Sequence, residues 1–248
     1  MSSPRSAARR WWRRSGRYRP HTVTGTIVYV TVVAYVVQLL TFGDLQDLFQ
    51  YSPLYSLPAT GAPFEPWRML TALVIHAPVT GASSVLALTH IGFNMYALYL
   101  FGRPLEDLLG GGRMLALYLL GGFGGSVAVL YAPFLHVLDP RTAEYGASGA
   151  VFAVLAAADV VQRRLGVDAR YLYVLIAINF ALGFVLGGIS WQAHLGGLIV
   201  GAVAGWAFVR NRGPRRTRRA VLEGAAIAAV LVVLTAVPVV LGAVPPIA

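Results

Sequence analysis

The sequence has no cysteine and no lysine, and only 12% of its 248 residues are charged. Without cysteine there can be no disulfide framework, thiolate metal site or cysteine nucleophile. An ordinary soluble domain carries roughly 25% charged residues, whereas here 57% of residues are hydrophobic. That balance excludes a soluble globular enzyme and a disordered chain. All twenty basic residues are arginine, against ten acidic ones, for a net charge of +10. Such a charge suits either nucleic acid or an anionic membrane surface. The positions of the arginines decide between them.

A bilayer core needs about 20 apolar residues per helix. Seven runs qualify, at 23–42, 83–102, 113–133, 147–162, 169–187, 191–209 and 220–243. The fourth is short and rich in Ala and Gly, so it is expected inside a bundle rather than against lipid. The expected fold class is an all-α polytopic membrane protein. Residues 1–22 hold seven arginines and no acid. They read as a retained basic cytoplasmic tail, with Trp11 and Trp12 able to touch the interface, and not as a cleaved signal peptide. With this tail in the cytoplasm and the spans alternating, eighteen of the twenty arginines fall inside and only Arg68 and Arg141 outside. That is the positive-inside pattern, and it places the C-terminus outside. The basic linker 210–219 between the sixth and seventh spans is then a membrane-surface feature, and no nucleic-acid partner is expected. The organisation expected is a tail (1–22), a six-span core (23–209), the linker (210–219) and a seventh span with a short outer tail (220–248). An outer loop, 43–82, joins the first two spans. Five prolines interrupt it, yet it contains FEPWRMLTALVIH, so it is expected to lie in the interface or dip into the membrane. No internal repeat or mid-membrane charge suggests a small-solute transporter.

Reactive or ionisable groups at membrane depth are costly, so each is a functional candidate. Ser148 lies in YGASGAVF, with Gly146 and Gly149 allowing a tight turn beside it. At a helix start it has backbone N–H groups nearby that suit a developing oxyanion; a duller reading is an N-cap serine. His194 is followed by Gly197, Gly201 and Gly205 on one helical face. The fourth span offers a matching stripe of Gly149, Ala153, Ala156 and Ala157. Packing the two faces would bring Ser148 and His194 to similar depth, although the stripes could equally serve helix packing alone. His90 and Asn94, four apart on the second span, share a face and can donate toward one point, or form an interhelical clasp. Together these are the parts for acyl transfer: nucleophile, base and oxyanion donors. No Asp or Glu lies near His194 on a span at that depth, so a Ser–His dyad is expected, with Phe152, one turn below Ser148, placed to stack on the imidazole. His76 and His136 read as ordinary loop histidines. Asp159 and Asp168 read as partners of nearby arginines, and Glu106 as a structural residue at a helix end. No metal-ligand spacing such as H-E-x-x-H is present.

These residues resemble the rhomboid family of intramembrane serine proteases. The matching elements are Trp67-Arg68, His90-x-x-x-Asn94, Gly146-x-Ser148-Gly149 and His194-x-x-Gly197-x-x-x-Gly201, in the family's order. Glu106 matches an acidic position that the family tends to show. The resemblance implies a six-helix bundle plus a seventh C-terminal transmembrane helix, and an endopeptidase cleaving transmembrane protein substrates near the outer membrane face. It implies Ser148 as nucleophile and His194 as base. His90, Asn94 and the Ser148 backbone would form the oxyanion hole, the loop around Trp67 and Arg68 would shape access, and the fifth span would be a lateral gate. No cofactor or metal is implied; the partners are substrate helices and the lipid bilayer. The alternative within the family is a catalytically silent membrane chaperone or binding protein. Ala153 and Ala157 stand where family members often carry Gly, and Phe152 where Tyr could also hydrogen-bond. The lysine-free, Ala-, Arg- and Gly-rich composition points to a bacterial plasma membrane.

Overall fold

The computed structural model describes residues 22–41, 44–79, 84–185, 189–212 and 216–245. The basic tail with Trp11 and Trp12 lies outside them, as do the ends of some expected spans. The described residues are helices and connecting turns: α1 (Val23–Leu40), α2 (Asp44–Phe49), α3 (Arg68–Thr71), α4 (Ser84–Leu109), α5 (Gly111–Tyr131), α6 (Ser148–Arg164), α7 (Arg170–Val185), α8 (Trp191–Arg210) and α9 (Thr217–Val240). Five of them (α1, α4, α5, α8 and α9) are long and apolar enough to cross a membrane. The chain is an all-α, multi-pass membrane protein. α6 and α7 have 17 and 16 residues, so at 1.5 Å per residue each is shorter than a bilayer core of about 30 Å.

α6 does not need that length, because it sits inside the bundle. Every residue from Gly149 through Ala158 is buried. α5, α6 and α8 pack most closely on one another, and their small residues make this possible. A Cβ on Gly197 would lie 2.0 Å from the Gly149 carbonyl oxygen, and one on Gly201 2.3 Å from the Ala153 Cα. A Cβ on Gly121 of α5 would lie 2.1 Å from the Ala153 Cβ. Lipid tails are as apolar as leucine side chains, so close van der Waals contact, not water exclusion, holds such helices together.

α4 runs about two turns beyond the span expected at 83–102. The charge at Arg103 does not end it, since Arg103 is buried and Leu105 and Leu109 pack into the core. This extension carries Glu106 to the start of α1. Its carboxylate accepts from the backbone N–H groups of Val23 and Thr24, both at 2.8 Å, and from the Thr24 hydroxyl at 2.6 Å. An anion there satisfies orphan amides and the positive end of the helix dipole. α9 is different: of its residues only Ala220, Leu231 and Pro238 are buried. It is tied on by Tyr131, whose hydroxyl donates to the Leu234 carbonyl at 2.7 Å, and by Glu223, which accepts from Asn211 at 2.6 Å and pairs with Arg210.

The described part of the outer loop is pinned to the bundle. Arg68 is buried, pairs with Glu65, donates to the Asp47 carbonyl at 2.6 Å and sits 4.2 Å over the Tyr55 ring. The Ser126 hydroxyl of α5 donates to the Met69 carbonyl at 2.7 Å. Trp67, beside Arg68, stays exposed.

Candidate active site

Ser148 opens α6, and what precedes it is a built turn. Gly146 has φ 118°, the left-handed region that favours glycine, and a Cβ there would lie 3.1 Å from His90 Cε1. Its N–H donates to the Ala72 carbonyl at 2.9 Å, joining this turn to the outer loop. The N-cap of α6 is Ala147, with no side-chain cap. Ser148 is therefore the first helical residue and does not cap the helix. The backbone N–H groups of the first turn have no intrahelical partners and stand beside its side chain.

A cavity of about 30 Å³ opens at this point. Ser148, Gly149, Gly146 and His90 line it, with Ala193, Ser190, Tyr51, Tyr145 and Glu144. His194 follows Ala193 in the first turn of α8, which Ser190 caps through a bond from the Ala193 N–H at 3.3 Å. Its ring is buried and stacks on Phe152, centroids 3.9 Å apart and planes 10° from parallel. Phe152 is one turn from Ser148 on the same face. Together with the contact of Gly197 on Gly149, this sets the imidazole beside the helical turn that bears Ser148. Neither His194 ring nitrogen has a hydrogen-bond partner among the described residues. The serine–histidine bond is thus not closed here, and no carboxylate holds the imidazole. Such bonds are often open without substrate and tighten in the complex.

Of the pair on α4, the structure brings His90 to the cavity but not Asn94. The Asn94 amide donates to the His90 carbonyl at 2.9 Å, within its own helix.

Two residues escaped the sequence reading. His76 is no ordinary loop histidine: it is fully buried. Gln38 of α1 holds its backbone from both sides, donating to its carbonyl at 2.6 Å and accepting from its N–H at 3.1 Å. Its Nε2 accepts from the Ala147 N–H at 3.5 Å, and its ring is 5.7 Å from that of His90. Burial, with His90 adding to it, pushes the His76 imidazole down to about 3. Its place at the end of the apolar stretch ALVIH was the available signal. Glu144 is the second: it lies off the spans, where depth in the membrane gives no signal for an acid. It lies on the loop, four residues before Ser148, and burial pushes its carboxyl up to about 7, partly offset by the Ser190 hydroxyl.

Comparison with known proteins identifies the family. The rhomboid domain matches residues 63–211, more than half of the chain. The chain is 33% identical over 147 residues to the rhomboid protease GluP of Bacillus subtilis, an alignment covering 56% of this chain and 25% of that one. It is 33% identical over 150 residues to the mitochondrial RHOMBOID-like protein 6 of Arabidopsis thaliana, covering 57% and 43%. It is 26% identical over 197 residues to the rhomboid protease GlpG of Haemophilus influenzae, covering 77% and 91%. The matched stretch thus spans a quarter of the Bacillus protein, less than half of the Arabidopsis one and most of the Haemophilus one. The matched domain contains the Ser148 turn, the α4 pair and the His194 helix, and the chain belongs to the rhomboid family.

Proposed function

We propose that this chain is an intramembrane serine endopeptidase that hydrolyses a peptide bond of transmembrane protein substrates near the outer face of the membrane. The observation that carries the reading is Ser148 on the wall of a small cavity, one turn along α6 from the Phe152 ring on which His194 stacks. Its relatives named as proteases support it. The substrate helix enters laterally, with α7 as the gate, and must unwind, because a helical peptide bond is shielded by its own turn. Helix-breaking Gly or Pro near the site therefore helps. His194 Nε2 takes the Ser148 hydroxyl proton as Oγ attacks the carbonyl carbon. The resulting oxyanion is stabilised by the Ser148 N–H and by His90, with Asn94 joining once its amide turns from the His90 carbonyl. His194 then protonates the leaving amine, and water from the outer side hydrolyses the acyl-enzyme.

The six-plus-one arrangement belongs to this proposal, with a cytoplasmic N-terminus, an outer C-terminus and a bacterial plasma membrane as its site. The alanines at 153 and 157 fit it, since Gly201 and Gly205 across the interface make room for them. The open serine–histidine bond is the one observation that favours the catalytically silent alternative.

The test is cleavage of a single-span reporter, with Gly and Pro in its outer third, by the full chain in liposomes. Wild type is expected to cut it, and Ser148→Ala and His194→Ala are not. Cleavage surviving in Ser148→Ala would refute the assignment. A folded wild type that retains the reporter without cutting it would establish the binding-protein reading.

A further inference from the structure

Glu144 is the acidic residue lining the cavity, and the proposed mechanism gives it no task. Its backbone is fixed by a two-bond antiparallel bridge to Tyr51: the Tyr51 N–H donates to the Glu144 carbonyl at 2.9 Å and the Glu144 N–H to the Tyr51 carbonyl at 2.6 Å. Tyr51 is itself buried, with its hydroxyl 3.2 Å from that of Ser56. The bridge therefore holds Glu144 at the wall of the cavity that His90, Ser190, Tyr145 and Gly146 also line. A substrate residue whose carbonyl carbon reaches Ser148 has its side chain within a bond or two of that same cavity.

We propose that Glu144 is a specificity-determining residue, favouring at the residue that supplies the scissile carbonyl a small side chain with a hydroxyl donor, serine or threonine, over an apolar one of equal size. The proposal rests on the protease reading above. Size and chemistry each contribute. At about 30 Å³ the cavity holds one or two water-sized groups, room that a hydroxyl or a methyl group fills. A methyl group filling it would strip water from the carboxylate and leave it only the Ser190 hydroxyl, whereas a substrate hydroxyl adds a second donor. Sites built to bond a substrate hydroxyl reject the analogue lacking it because the buried acceptor is left unsatisfied.

The preference varies with pH. Above about 7 Glu144 is the stronger, charged acceptor; below it the carboxyl carries its own proton and the advantage of a hydroxyl shrinks. The other titratable groups facing the cavity are Tyr51, Tyr145 and His90, with His76 behind His90. Burial raises both tyrosines, so they stay neutral. The histidines are common to wild type and every Glu144 variant, so comparison with those variants removes their contribution.

The experiment uses the full chain in phosphatidylethanolamine–phosphatidylglycerol liposomes. Four single-span reporters differ only in carrying Ala, Ser, Thr or Val at the residue before the cut, with the cut mapped by mass spectrometry. The readout is the kcat/KM ratio of Ser to Ala, one pH unit below and one above Glu144's value of about 7. Wild type is expected to prefer Ser by about tenfold on the alkaline side, less on the acid side. Glu144→Leu should bring the ratio near one at both, and Glu144→Gln should leave a smaller preference that does not change with pH. Should Glu144→Leu fail to melt cooperatively, Glu144→Gln decides: a pH-independent ratio supports the proposal, and a wild-type pH response overturns it. Wild-type cleavage with no preference for Ser over Ala overturns this proposal alone. No cleavage of any reporter, with no labelling of Ser148 by a fluorophosphonate, overturns the protease reading on which it stands.

Discussion

α6 and α9 are both apolar helices, and they are opposite in nearly every other respect. α9 is strongly apolar, and only Ala220, Leu231 and Pro238 of it are buried in the protein. α6 falls short of a full span, carries the candidate nucleophile, and is buried through ten successive residues. In a membrane protein, high hydropathy marks contact with lipid, and small residues mark contact with other helices. The helix that is strongest as a sequence signal is therefore the one least involved in the site.

The largest contrast is chemical. Ser148→Ala or His194→Ala is expected to lower cleavage by at least about 10⁴-fold, while Ala229→Leu on the exposed face of α9 should leave it within about twofold, in a reporter assay. Next is packing. Gly201→Leu drives a side chain into the Ala153 backbone and should cost more than about 3 kcal/mol, enough to lose cooperative melting in detergent. Ala229→Leu should move the melting temperature little. A tolerated Gly201→Leu would erase the distinction between the two helices. Third, His90→Ala should cost about 10²–10³ in rate as an oxyanion donor, and Asn94→Ala less, because in the resting structure its amide is engaged on its own helix. A larger loss in Asn94→Ala would reverse that ranking.

A further contrast concerns pH and the rim of the site. His76 titrates near 3 when folded against 6.5 ordinarily. Its contribution to stability is present above about 6.5 and is lost as pH falls toward 3, at up to about 1.4 kcal/mol per unit. Glu144 acts in the opposite sense: its contribution is present below 4.5 and is lost as pH rises through about 7. Melting curves of His76→Asn should lose the acid-side decline, and those of Glu144→Gln the decline toward neutral pH. Unchanged curves would show that the two groups are not buried as described.

The same contrast explains how far the sequence could be read. Helix positions follow from apolar runs, and the meeting of α6 with α8 follows from glycines at helical spacing, since both are local periodic signals. Phe152 under His194 follows from one turn of helix. What could not be read was tertiary. The extension of α4 depends on Glu106 reaching α1, a contact 83 residues away. The burial of His76 depends on Gln38, and the placing of Glu144 on a single bridge to Tyr51. Asn94 shares a face with His90, as spacing requires, but spacing does not choose between the cavity and the helix's own carbonyl as partner for its amide.

Whether Ser148 is an activated nucleophile is read by labelling the purified full chain in detergent with a fluorophosphonate, with Ser148→Ala and His194→Ala alongside. Wild type is expected to label at Ser148, found by peptide mapping, and both variants are expected to lose the label despite intact melting curves. Labelling that persists in Ser148→Ala, or a folded wild type that does not label while an active relative does under the same conditions, would contradict that role for Ser148.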